Sequence, residues 1–156
     1  MPAPKIGNKA PAFNLPATGD KKIALKDLRG QNVVLYFYPK DSTPGCTLEG
    51  QDFRDLKGRF TRAKTVILGV SRDSLKSHEN FKAKQKFNFD LISDSEEKIC
   101  QAYDVIKEKN MYGKKVIGVE RSTFLIDKEG RLVQEWRKVK VKGHAQEVLD
   151  AAKALK

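Results

Sequence analysis

The chain has 156 residues, of which 39% are hydrophobic and 33% are charged, and its formal net charge is +11. The length fits a single domain over residues 1–156, and no apolar run approaches the roughly 20 residues that span a bilayer, so we expect no membrane partner. Basic residues are mixed with acidic ones along the chain, which indicates a solvated surface and no nucleic-acid partner. The N-terminal residues lack the apolar core of a signal peptide, and we therefore expect a cytoplasmic protein.

Strand and helix patterns alternate through the first part of the chain. Short strands are predicted near 12–15 and 22–25, and a helical turn at 27–30 precedes a buried strand at 33–38. A helix at about 45–59 follows, with Phe53, Leu56 and Phe60 on its apolar face. The next predicted elements are a strand at 65–70, a helix through Leu75 and Phe81, and a strand at 89–92.

The last part of the chain predicts a helix at about 95–103, with an acidic start, and then a loop around 111–113. Strands at 122–127 and 131–136 flank turn residues and are expected to form an antiparallel hairpin. Residues 137–142 alternate basic residues with valine, as a half-buried strand would, and an amphipathic helix carries Ala145 through Leu155. This order of elements predicts an α/β protein with a thioredoxin-like fold, in which helices flank a mixed central sheet on both faces.

Cys46 stands where a polar loop rich in Pro and Gly passes into a predicted helix. The unpaired N–H groups and the macrodipole at a helix N-terminus favour thiolate over thiol, and the thiolate is the nucleophilic form. A small buried hydrophobic residue is the other interpretation of a lone cysteine, and position alone does not decide between them. The chain otherwise has only Cys100, His78 and His144, which show neither a disulfide framework nor a metal-ligand spacing. We expect no metal and no cofactor.

The pattern Pro39-x-x-x-Thr43-x-x-Cys46 resembles the active-site signature of the peroxiredoxins. Residues 36–47 resemble the bacterioferritin comigratory protein, or peroxiredoxin Q, branch of that family, and so do residues 7–13, 91–94 and 111–127. The resemblance covers essentially the whole chain. It implies a thiol-dependent peroxidase that reduces hydrogen peroxide and small organic hydroperoxides, in a branch whose members are often monomers.

Cys46 would attack the peroxide and become a sulfenic acid. The Thr43 hydroxyl would lie beside the sulfur, and the N–H groups of Gly45 and Cys46 would hold the peroxide oxygens, since Pro44 has none. Pro39 would shield the thiolate and fix the loop.

Two charged residues complete the expected site. The resemblance assigns Arg121 to stabilise the thiolate and the leaving oxygen, although the residue alone would be interpreted as a surface arginine. Glu49 is expected to orient Arg121 or to bond the loop, and an acidic residue in a first helical turn is equally explained as capping.

The cysteine that would resolve the sulfenic acid is missing from its usual positions. Members of the branch carry it five residues after the first cysteine, where this chain has Gln51, or on the next helix, where it has Lys82. Cys100 shares an apolar helix face with Ile99 and Tyr103, which favours burial. We therefore expect a one-cysteine enzyme resolved by an external thiol such as thioredoxin, glutaredoxin or glutathione. The alternative is a two-cysteine enzyme in which Cys100 resolves.

Two other functions compete with this interpretation. A thioredoxin-like disulfide reductase would need a Cys-x-x-Cys pair, and this chain has Glu49 at the second position. A basic binding or chaperone-like protein with little turnover is the second alternative, and the presence of Thr43, Cys46 and Arg121 together argues against it.

Overall fold

The computed structural model describes residues 3–155; Met1, Pro2, Lys156 and the side chain of Met111 lie outside the description. The elements in chain order are β1 (Asn14–Ala17), β2 (Lys21–Ala24), a 3-10 turn (Leu25–Leu28), β3 (Asn32–Phe37), α1 (Pro44–Arg62), β4 (Thr65–Ser71), α2 (Leu75–Gln85), β5 (Asp90–Ser93), α3 (Lys98–Ala102), β6 (Ile106–Met111), β7 (Lys114–Val119), β8 (Ser122–Ile126), β9 (Leu132–Trp136) and α4 (His144–Lys153). No helix within residues 3–155 is long and apolar enough to cross a membrane.

Seven strands form one mixed sheet in the order β2-β1-β5-β4-β3-β8-β9. β3 pairs in parallel with β4, and β4 in parallel with β5, whereas β8 runs antiparallel to both β3 and β9. Helix α1 makes the crossover between β3 and β4, which parallel neighbours require. The thioredoxin-like α/β fold and the antiparallel β8–β9 hairpin predicted from the sequence are confirmed.

The central sheet separates two hydrophobic cores, because successive side chains of a strand point to opposite faces. On β3, Val33, Leu35 and Phe37 belong to the first core, which also contains α3 residues. Val34 and Tyr36 belong to the second core, which lies under α1, α2 and α4. Any two residues in different cores therefore have the sheet between them.

Helix α1 begins at Pro44 and ends at Arg62, so the predicted end at residue 59 is wrong. Proline suits the first helical position because its missing N–H would have no acceptor there. The helix continues past Gly58 because Phe60, two residues further on, is fully buried in the second core. The burial of this aromatic ring outweighs the modest cost of a glycine inside a helix.

The expected loop around 111–113 is instead the turn of a two-stranded hairpin, β6–β7, outside the main sheet. Tyr112 and Gly113 both have positive φ, 53° and 78°, as a two-residue hairpin turn requires. These strands were not predicted from the sequence because neither face is buried along most of β7, where Val116 and Ile117 are exposed. An alternating apolar pattern appears only when one face is covered.

Two further predictions are corrected. The helix expected at 95–103 is the short α3, since Glu97 adopts a left-handed conformation with φ of 61° and the helix begins only after it. The stretch 137–142 is irregular rather than a strand. Lys138 has φ of 51°, which ends the extended chain of β9. The N–H of Val139 donates to the carbonyl of Arg121, so this stretch begins beside the residue that precedes β8.

Candidate active site

The loop after β3 delivers Cys46 to the first turn of α1, as its third residue, with 2% of its surface exposed. Thr43 precedes the helix, and its carbonyl accepts a hydrogen bond from the N–H of Thr47. The N–H groups of Gly45 and Cys46 have no acceptor among residues 3–155. The turn therefore presents two free donors and the positive end of the helix dipole beside the sulfur.

Arg121 lies between β7 and β8, and its side chain reaches the first turn of α1. Its Nη2 donates to Cys46 Sγ at 3.2 Å, and its Nη1 donates to Glu49 Oε1 at 2.6 Å. Cys46 and Glu49 are three residues apart on α1 and so share one helix face. One guanidinium thus contacts the candidate nucleophile and a buried carboxylate together.

Gly45 makes the close approach of Arg121 possible. A β-carbon at this position would lie 3.2 Å from Arg121 Nη2, closer than carbon and nitrogen normally pack. The glycine expected to supply a backbone donor also leaves space for the guanidinium.

Glu49 is 1% exposed, and its Oε2 has no hydrogen-bond partner among the described residues. Burial raises the pKa of Glu49 from 4.5 to about 7, although Arg121 acts in the opposite direction. Burial disfavours the charged form of Arg121 as well, but Glu49 and Cys46 raise the pKa of the guanidinium above its ordinary value. The cation at this site is therefore permanent, while the carboxylate titrates near neutral pH.

Thr43 and Pro39 line the loop that precedes the thiol. The Oγ1 of Thr43 donates to the carbonyl of Lys40 at 2.8 Å, and the expected place of this hydroxyl beside the sulfur stays a prediction. This bond closes a local turn, which hydroxyl side chains commonly do before a helix. Pro39 is half-buried at the beginning of the loop.

Three residues that the structure places around the site were not predicted as part of it. Asp41 is buried and paired with His78 of α2. Lys109 of β6 is half-buried, with its Nζ donating to the carbonyl of Val119, and burial together with the charge of Arg121 lowers its pKa. Asp41 lies within residues 36–47, which carry the family resemblance, and could have been identified from that segment. Lys109 and His78 have no local sequence signal.

Cys100 lies in the first core and Cys46 in the second, so the central sheet stands between them. Cys100 is fully buried, as predicted, and its N–H donates to Asp94 Oδ2 at 2.8 Å. Burial, with the nearby charge of Asp94, raises the pKa of the Cys100 thiol far above its ordinary value. This thiol has neither access to Cys46 nor a tendency to ionise.

The two positions where a resolving cysteine was expected hold polar contacts between elements. Gln51 Nε2 donates to Gln85 Oε1 at 2.9 Å, which joins α1 to the end of α2. Lys82 Nζ donates to Asp90 Oδ1 at 2.8 Å, which joins α2 to β5.

Comparison with known proteins agrees with this geometry. Residues 6–135 match the AhpC/TSA family. The chain belongs to that family. It is similar to the peroxiredoxin Bcp of Xanthomonas campestris, with 60% identity over 147 residues that cover 93% of this chain and 92% of the relative. The chain is therefore a thiol-dependent peroxidase of the bacterioferritin comigratory protein branch, and it acts on peroxides with a thiol reductant.

Two solved structures extend the comparison. A cysteine-to-serine mutant of Xylella fastidiosa PrxQ is 49% identical, with a TM-score of 0.93 and coverage of 99% of this chain and 98% of that one. The Xanthomonas bacterioferritin comigratory protein, studied for alkyl peroxide reduction in trapped intermediate and ligand complexes, is 59% identical with a TM-score of 0.87, covering 91% of this chain and 90% of that one. Two mutants of Xanthomonas peroxiredoxin Q replace different cysteines, 36 positions apart.

Proposed function

We propose that this peroxiredoxin reduces hydrogen peroxide and small organic hydroperoxides through a Cys46 sulfenic acid that an external thiol then resolves. The observation that carries the proposal is the 3.2 Å contact from Arg121 Nη2 to Cys46 Sγ at the N-terminus of α1. The alkyl peroxide reduction studied in the similar Xanthomonas protein supports the organic substrate class.

In the first step the Cys46 thiolate attacks one oxygen of the hydroperoxide, an S–O bond forms, and the O–O bond breaks. The sulfur is oxidised to a sulfenic acid, and the leaving oxygen takes up a proton and departs as water or an alcohol. Negative charge moves from sulfur to the leaving oxygen during this step. The N–H groups of Gly45 and Cys46 and the Arg121 guanidinium are donors already oriented toward that charge.

The remaining site residues have supporting roles in this proposal. Glu49 holds the Arg121 guanidinium at 2.6 Å and so directs Nη2 toward the sulfur. Pro39 shields the thiolate from water. The Thr43 hydroxyl exchanges its bond to the Lys40 carbonyl for a bond to the bound peroxide, which needs only rotation of the side chain.

The one-cysteine mechanism is supported by what occupies the other positions. Lys82 lies 36 positions after Cys46, the same spacing as between the two cysteines mutated in the Xanthomonas protein. Cys100 is buried on the opposite face of the sheet. A disulfide requires α-carbons within about 7 Å, so Cys100 would have to leave its core before it could reach Cys46.

The reductant is therefore an external thiol, thioredoxin, glutaredoxin or glutathione, which attacks the sulfenic acid sulfur and releases water as a mixed disulfide forms. The net charge of +11 favours an anionic reductant by long-range attraction. We further propose that a single domain over residues 1–156 acts as a monomer in the cytoplasm.

Stopped-flow measurement of Trp136 fluorescence tests the proposal, since this single tryptophan packs against the second core that contains Cys46. Wild type and Cys100→Ser should react with one equivalent of peroxide at similar rates, and Cys46→Ser should not react. Intact mass should then show one added oxygen atom in both reactive proteins. Loss of two hydrogen atoms, with a linked peptide containing Cys46 and Cys100, would instead establish the two-cysteine mechanism.

A further inference from the structure

Asp41, in the loop that leads to Cys46, is 6% exposed although the residues beside it reach solvent. Its carboxylate accepts three hydrogen bonds from side chains. Tyr38 Oη donates to Oδ1 at 2.6 Å, Ser77 Oγ donates to Oδ2 at 2.8 Å, and His78 Nδ1 lies 2.7 Å from Oδ2. A loop carboxylate is thus the centre of a buried polar network. Its other members are Tyr38, which directly follows β3, and two residues of α2.

Both ring nitrogens of His78 have a hydrogen-bond partner. The ring is fully buried, and its Nε2 lies 2.9 Å from the carbonyl oxygen of Ile92, which can only accept, so Nε2 carries a hydrogen. Nδ1 faces the Asp41 oxygen that already accepts from Ser77. Tyr38 and Ser77 are the other two donors to this carboxylate. The His78 ring therefore links the Asp41 carboxylate to the carbonyl of Ile92 on β5.

This pair joins three parts of the fold to the loop. His78 belongs to α2, Ile92 belongs to β5, and the N–H of Asp41 donates to Asp73 Oδ2 at 2.8 Å just beyond β4. Only four residues separate Asp41 from Cys46. A shift of Asp41 would therefore move the backbone donors that face the peroxide.

We propose that His78 is a positioning residue, whose buried pair with Asp41 fixes the 39–45 loop and thereby holds Cys46 and its neighbouring N–H groups in reactive geometry. The proposal rests on the proposed peroxidase function. It also fits the lysine at position 82, because no disulfide step then requires α2 to move away from the loop. The contacts of His78 and Asp41 act through the loop, and neither residue is assigned a contact with peroxide.

Two neutral substitutions separate positioning from general loss of structure. In His78→Asn the amide nitrogen occupies the place of Nδ1 and keeps the donor to Asp41, whereas in His78→Gln it occupies the place of Nε2 and keeps only the bond to Ile92. The rate of Cys46 oxidation should fall about 10²-fold in His78→Gln, the cost of a displaced reacting group, and much less in His78→Asn. Rates are measured well below each melting temperature, with circular dichroism to establish folding.

Equal slowing in both variants, or slowing in neither, would overturn the proposal. If His78→Gln does not fold, Ser77→Ala provides the test, because it removes one donor from Asp41 without a change of charge. This variant should still slow oxidation at an unchanged melting temperature. An unchanged rate would overturn the proposal. Failure of wild type itself to form a sulfenic acid would refute the proposed function instead.

Discussion

Glu49 offers a quantitative test of the site, because its burial has a consequence for stability that depends on pH. The carboxyl group is 1% exposed and its Oε2 lacks a hydrogen-bond partner within residues 3–155. Its pKa is raised from 4.5 to about 7 by burial, against the opposing effect of Arg121. Glu49→Gln keeps the shape of the side chain and removes the titration.

The size of the effect follows from the difference between the folded and unfolded pKa values. A raised folded pKa means that the unfolded chain loses this proton first, so the stability from Glu49 is complete below about pH 4.5 and is lost as pH rises through about 7. At about 1.4 kcal/mol per pKa unit the full loss is about 3 kcal/mol, most of which falls between about pH 5 and about pH 8.

Urea unfolding at about pH 5 and about pH 8 measures this loss. Both proteins carry Cys46→Ser, which prevents oxidation, and one of them also carries Glu49→Gln. The protein that retains Glu49 should lose about 2 to 3 kcal/mol more stability between the two pH values than the Glu49→Gln protein. Glu129→Gln, at an exposed turn position, is the matched control and should not change the pH response. An identical pH response with and without Glu49 would refute the raised pKa and the reasoning built on it.

Two other predictions address the rate of Cys46 oxidation, measured by stopped-flow fluorescence, and a third addresses turnover with an external thiol. Arg121→Ala should slow it at least about tenfold by removing the donor at 3.2 Å, and an unchanged rate would show that another group serves the sulfur. Gly45→Ala should also slow the oxidation, because the new β-carbon displaces the guanidinium. Its control, Gly58→Ala in an open part of α1, should leave the rate unchanged, and equal rates in the two variants would refute the steric role of Gly45. Cys100→Ser should turn over at nearly the wild-type rate with an external thiol, and loss of turnover would make Cys100 the resolving residue.

The strand, loop and helix around Cys46 could be predicted because each part has a local signal. A continuous apolar run identified β3, Pro and Gly identified the loop, and spaced aromatic residues identified α1. Arg121 has no such signal, since it lies 75 positions from Cys46 and is one of many cations in a chain with 31 lysines and arginines. Only the family resemblance pointed to it.

The features that the sequence did not predict correctly each have a physical reason. The β6–β7 hairpin leaves most of β7 exposed, so its sequence carries no alternating pattern. The pair of Asp41 and His78 joins residues 37 positions apart, and buried polar pairing is decided by three-dimensional packing that no periodicity reports. The stretch 137–142 has the alternation of a strand, but the positive φ of Lys138 ends the extended chain just beyond β9.

Burial of Glu49 also explains how one arginine can serve the sulfur. Arg121 has a single positive charge and contacts two groups that can become negative, Glu49 and Cys46. An ordinary carboxylate at position 49 would be fully ionised at neutral pH and would neutralise the guanidinium by itself. A carboxyl group whose pKa is about 7 is partly protonated there, so the positive charge remains available to stabilise a thiolate. The same burial that makes Glu49 destabilising above neutral pH thus leaves Arg121 free to favour the reactive form of Cys46, an exchange of stability for reactivity that is common at active sites.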